Sequence, residues 1–110
     1  MNNTYNITMT RGDTYAFDCG MPSDIVDSID AMVLSVKNRP TDRVYVFQKS
    51  IGDGIEKHDD HTYRVRIAPE DTERLIPGKY VYDLELTIGE DVYTPLSGTI
   101  KLVQDITTEY

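Results

Sequence analysis

Ala68-Pro69-Glu70-Asp71-Thr72-Glu73-Arg74-Leu75-Ile76-Pro77-Gly78-Lys79-Tyr80-Val81-Tyr82-Asp83-Leu84-Glu85-Leu86 carries three structural signals in succession. Pro69 suits the first turn of a helix, because its missing N–H has no partner there in any case. The acidic residues after it favour a helix start, and Pro77-Gly78 stops the helical period. From Tyr80 onward the chain alternates, with Tyr80, Tyr82, Leu84 and Leu86 on one face and Val81, Asp83, Glu85 and Thr87 on the other. A short helical turn near residues 69–75 followed by a period-two strand predicts the corner at which a β-sandwich passes from one sheet to the other. Pro77, Gly78 and Tyr80 form that structural corner, and a tyrosine in this place commonly bonds a backbone group through its hydroxyl.

The rest of the chain repeats the strand signal. Ile7 and Met9 alternate with threonines, Arg11-Gly12-Asp13 interrupts, and Tyr15, Phe17 and Cys19 resume the pattern. Residues 29–37 are nearly continuous in apolar side chains, which suits a central strand covered on both faces or one whose outer face meets a partner. Val44 to Ile51 is rich in β-formers, with Tyr45, Phe47 and Lys49 sharing a face. Gly52-Asp53-Gly54 reads as a turn, Glu56 to His61 as an acidic loop, and Thr62 to Ile67 as a half-buried strand with Tyr63, Val65 and Ile67 inward. Gly78 to Ile88 is a long strand, Gly89-Glu90-Asp91 a hairpin connection, and Val92 to Val103 the closing strand. Pro95 cannot donate a ladder hydrogen bond, so it belongs at an edge, a bulge or a bend. The expectation is an all-β, antiparallel sandwich of about seven strands, forming one domain over residues 1–110.

Charge and composition exclude several roles. Nineteen acidic against eleven basic residues give a formal net charge of -8. Such a chain repels phosphate backbones and anionic lipid at long range, so no nucleic acid and no membrane surface is expected as partner. The start is neither basic nor apolar, as a signal peptide would be, and no run is long enough to span a bilayer. Synthesis in a cytoplasm without a secretion signal is the expectation. Cys19 is the only cysteine, so no internal disulfide forms; it reads as a small buried hydrophobe.

Few residues invite chemistry. His58, Asp59, Asp60 and His61 form the window richest in metal ligands, but a loop without a rigid scaffold is a poor cage, and no metal or other cofactor is expected. Asp83 and Glu85, two apart on one strand face, would hold their carboxyls roughly 7 Å apart, near the spacing of inverting glycosidases. A solvated strand face gives the same pattern, and no aromatic cleft accompanies it. Arg11-Gly12-Asp13 matches a tripeptide that integrins read, while Gly-Asp is also what a strand connection needs. Eight tyrosines permit a carbohydrate or protein interface. Most sit at inward positions, and Tyr5, Tyr93 and Tyr110 are the freest to serve a partner.

The ordered segments Ile7-Thr8-Met9-Thr10-Arg11-Gly12-Asp13-Thr14-Tyr15, Ala31 to Lys37, Pro69-Glu70-Asp71-Thr72, Leu75 to Leu86 and Thr94-Pro95-Leu96-Ser97-Gly98-Thr99-Ile100 resemble a small family of phage and prophage proteins. The chain is similar, over almost its whole length, to the N-terminal domain of the upper baseplate protein of tailed phages that infect Gram-positive bacteria. The resemblance implies an immunoglobulin-like β-sandwich that serves attachment within a virion's tail or baseplate, without catalysis. Its implied partners are other tail or baseplate proteins, or further copies of itself, and its implied location is the virion. Members that carry a receptor-binding or fibre-like region do so beyond the point matching Tyr110, so the resemblance implies a separately encoded tail component or one detached module. The alternative reading is a β-sandwich module that binds carbohydrate or cell wall, and it predicts a coplanar pair of solvent-facing aromatic rings.

Overall fold

The computed structural model describes residues 3–22 and 24–107. Among these residues nine strands run in chain order: β1 Asn3–Thr4, β2 Ile7–Thr10, β3 Tyr15–Gly20, β4 Ala31–Lys37, β5 Phe47–Ile51, β6 Gly54–Asp59, β7 Thr62–Ile67, β8 Gly78–Ile88 and β9 Asp91–Val103. A 3-10 turn at Val26–Ser28 and the helical turn α1, Pro69–Thr72, complete the set. The hydrogen-bonded order is β1-β9-β8-β4-β5-β6-β7-β3, with β2 also on β9.

This is one curled sheet that makes two layers. The jog at Gly52-Asp53 lets the ribbon pass from β5 to β6 through a two-residue parallel bridge, and Gly52 and Gly54 supply the positive φ it needs (87° and 97°). On one side lie β2, β9, β8, β4 and β5; on the other lie β6, β7 and β3. Their inward side chains fill a common core, with Leu34, Ile55, Val65, Ile67 and Leu84 fully buried. The stretch from Ala68 to Pro77 joins β7 of one layer to β8 of the other.

Three features depart from the expected plan. The sheet is mixed rather than purely antiparallel, because β1 and β2 enter alongside the last strand and pair with β9 in parallel. No hairpin joins them, so nothing reverses their direction. Residues 54–59 form β6, paired to β7, instead of a loop; Ile55 is buried and the following charged side chains remain in water on the same strand. Val44 and Tyr45 lie ahead of β5, exposed, since the strand starts only at Phe47. Pro95 falls in a register shift, where Leu84 faces Leu96 but Leu86 faces Tyr93. A bulge there removes the need for its N–H.

Candidate functional site

The corner is tied at three points. Tyr80 Oη donates to Ile76 O at 2.6 Å, across the bend that Pro77-Gly78 makes. Asp71 Oδ2 accepts both the Ala68 N–H (2.7 Å), which caps α1, and Lys49 Nζ (2.7 Å) from β5. Thr72, 1% exposed, accepts the Gly12 N–H at 2.9 Å. Lys49 is itself 7% exposed, and its stem lies over Gly54, where an added Cβ would come within 2.7 Å of Lys49 Cδ. The strand phase put this lysine on the face of Phe47, which is the buried one, but nothing in the sequence named Asp71 as its partner.

Tyr82 follows Tyr80 by two residues. In antibody domains that place on the strand holds a cysteine of the inter-sheet disulfide. Here the ring is buried, and its hydroxyl donates to Tyr5 O at 2.5 Å. Burial pushes the Tyr82 hydroxyl far above its ordinary range. Tyr82 therefore links β8 to the N-terminal segment by packing and a hydrogen bond where other sandwiches use sulfur. Gly98 allows that segment to approach: a Cβ there would lie 2.2 Å from Tyr5 O.

The ligand-rich window is dispersed. His58 lies on β6 with Nε2 at 3.3 Å from Arg64 Nη2, a cation, while Arg64 Nε bonds Asp18 Oδ1 at 2.8 Å. Asp59 instead accepts the backbone N–H of His61 at 2.8 Å, closing the turn between β6 and β7. The Arg64 guanidinium holds the Asp18 carboxyl below its usual range, and hydrogen bonding from His61 and Thr62 does the same for Asp59. Among the described residues no three His, Cys, Asp or Glu side chains gather as metal ligands. Asp83 and Glu85 stand exposed on the outer face of β8, beside Ser35 and Val33 of β4.

Arg11-Gly12-Asp13 is a turn with Gly12 at φ 84°, and its arginine is turned onto the chain itself. Arg11 Nε pairs with Asp105 at 2.9 Å, and Nη1 donates to Leu75 O at 3.3 Å. Cys19 is half-buried, and burial raises its thiol pKa, so little thiolate forms at neutral pH.

What remains open is edge and face. The Met21 N–H bonds His61 O, so by strand alternation the backbones of Tyr15, Phe17 and Cys19 face β7, and those of Ala16, Asp18 and Gly20 face away from it. A groove of about 740 Å³ is lined by residues 16–20 of β3 together with Asn3, Thr4, Tyr5 and Leu96. The hydroxyl of Tyr5 is 2.7 Å from that of Tyr15, and its ring is 5.4 Å from Phe17. Burial, aided by the Tyr5 hydrogen bond, pushes the Tyr15 hydroxyl up to about 12. The outer edge of β2 is also open, since among the described residues β2 pairs only with β9. Tyr93 is exposed in β9, while Tyr110 and the end of the polar tail lie outside the described residues. The ring pairs in contact are tilted by 48° and 49°, both around the buried Phe17. No helix among the described residues is long and apolar enough to cross a membrane.

No protein-family model matches the chain, and no curated protein matches it in sequence. Solved structures do resemble it. It is similar to part of the endo-β-1,4-mannanase from Thermotoga petrophila, at 14% identity and a TM-score of 0.60, covering 91% of this chain and 18% of that one. It is similar to the second immunoglobulin domain of the mouse polymeric immunoglobulin receptor, at 13% identity and a TM-score of 0.52, over 96% of this chain and 100% of that one. A family 123 glycoside hydrolase from Clostridium perfringens gives 15% identity and a TM-score of 0.52, over 94% of this chain and 23% of that one. The chain thus spans under a quarter of the length of either hydrolase. At these identities the likeness concerns the fold, which is an immunoglobulin-like β-sandwich.

Proposed function

We propose that the chain is a non-catalytic attachment module of a phage or prophage tail or baseplate, and that it works by protein–protein contact. The observation that supports this reading best is the pair of bare strand edges on β2 and β3 in a sandwich whose chemistry-bearing side chains are spread apart. Unpaired backbone groups at an edge are satisfied when an assembly adds a strand to them. The edge of β2 is one such row of backbone groups, and the groove beside β3 is another, lined also by Phe17, Tyr5 and Leu96.

Tail particles purified from the phage or induced lysogen that encodes the chain test this directly. The chain is expected to co-sediment with intact tails and to be released when they are dissociated. Its absence from tails, with the free protein abundant in the same lysate, contradicts the proposal. The sugar-binding alternative draws on the presence of two glycoside hydrolases among the fold likenesses. The tilted, partly buried ring pairs are a poor sugar platform, and calorimetric titration with peptidoglycan fragments would revive that alternative only by showing saturable heat.

A further inference from the structure

We propose that the outer face of the layer β9-β8-β4-β5 is a self-complementary surface through which two copies of this chain pair. The face is divided by charge along its strands. In register across the sheet, Lys79 lies beside Lys101; next come Val81, Thr99 and Lys37; then Asp83 with Ser97 and Ser35; then Glu85 beside Val33. All of these point outward, because the alternate residues Tyr80, Tyr82, Leu84, Leu86, Leu34 and Val36 are buried. One half of the face is therefore basic and the other acidic.

Four ion pairs form at close range among the described residues: Arg11 with Asp105, Lys49 with Asp71, Lys57 with Asp27, and Arg64 with Asp18. Lys37, Lys79, Lys101, Asp83 and Glu85 form no ion pair among the described residues. The centre between them is made of small or half-buried side chains, and Gln48 is drawn down onto the sheet by its bond to Ser35 Oγ, at 2.8 Å. This centre shares a groove of about 650 Å³ with Thr4, Asn6, Pro40, Arg43 and Tyr45.

A two-fold axis lying in the interface and running across the strands reverses their direction while keeping β8 over β8. That operation sets Lys79 of each copy over Glu85 of the other, and brings Lys37 within a strand's width of the other copy's Asp83. Such an isologous contact satisfies both halves at once. Four strands about 4.8 Å apart and roughly 30 Å long present on the order of 600 Å² per copy, at the low end for a specific interface. The expected dimer is weak, with local complementarity opposing the repulsion of two chains that each carry a net charge of -8. The proposal deepens the contact reading by naming one partner, and it rests on that reading only there.

Sedimentation velocity on the unmodified chain, at about 100 µM, a concentration suited to a weak dimer, is expected to show one. The double variants Lys79→Glu/Lys101→Glu and Asp83→Lys/Glu85→Lys should each lose at least about tenfold in dimer affinity, and their equimolar mixture should recover it as a heterodimer. Arg66→Glu/Arg74→Glu, which changes net charge by the same amount on other surfaces, should leave the dimer intact. Should a variant fail to fold by its melting curve, the unmodified chain and this control still decide the matter. A monomer, or a dimer that survives both reversals, overturns the proposal. A monomer that still enters tail particles leaves attachment standing, while a dimer through this face that is missing from tails does the reverse.

Discussion

At Asp71 one carboxylate oxygen serves two partners, the Ala68 N–H and the Lys49 ammonium, and removing it has two costs. Asp71→Ala uncaps α1 and strands a cation that is 7% exposed, so a loss of about 3 kcal/mol is expected. Lys49→Met keeps the stem packed over Gly54 and leaves Asp71 bonded to the backbone, so it should cost about 1 kcal/mol or less. Chemical denaturation of both variants checks the order, and equal losses would refute the assignment of Lys49 as the dependent partner. Gly78 is a second residue whose role is conformational: φ is 153°, yet a Cβ would touch nothing within 4 Å. Gly78→Val should cost about 1–2 kcal/mol through backbone strain alone. Glu90→Ala, on the exposed hairpin turn, should stay within about 0.5 kcal/mol. Thermal melts that show no difference would move the corner elsewhere. The phase of Lys49 was legible in the sequence because strand alternation is local; its partner was not, because Asp71 lies on the other side of the jog and of β7.

Elements were legible where alternation and punctuation agree. The bounds of β8 and the burial of its alternate residues follow from Pro77-Gly78 and the period-two run. The strand β6 was hidden because Glu56 to Asp59 carries only solvated side chains, and its pairing to β7 depends on a partner strand rather than on its own composition. The parallel entry of β1 and β2 was hidden for a similar reason: a pattern of inward residues fixes a face, not a direction. Between β3 and β7 the Asp18–Arg64 pair ties the outer face, with both side chains about half exposed, so its contribution to stability is small. Its electrostatic effect is measurable even so. The Asp18 carboxyl is held low by Arg64, so whatever stability the pair gives is present above about pH 4 and disappears as pH falls through the lowered midpoint. Arg64→Gln should raise the Asp18 midpoint toward the ordinary value of about 3.9, read by NMR titration of its carboxyl carbon. An unmoved midpoint would mean the guanidinium is not what holds it.

Across the whole molecule, the chain puts most of its aromatic and aliphatic side chains into a single core and leaves strand edges, grooves and a charge-divided face at the surface. Part of the candidate chemistry in the sequence is taken up by structure: Arg11 is bonded to Asp105 and Leu75, His58 lies against Arg64, and Asp59 closes a turn, while Asp83 and Glu85 stay exposed. The sequence could rank such groups by type and spacing, but only the folded chain shows which of them are already satisfied by their neighbours. The central claim is that the chain functions through its bare edges, and hydrogen exchange compared between the free protein and the chain within purified tails tests it most directly. The account predicts slower exchange on assembly at the outward amides of β2 or β3, Thr8 and Thr10 or Ala16, Asp18 and Gly20, with His58 to His61 unchanged. Exchange at both edges that is identical in the free and assembled chain would contradict it.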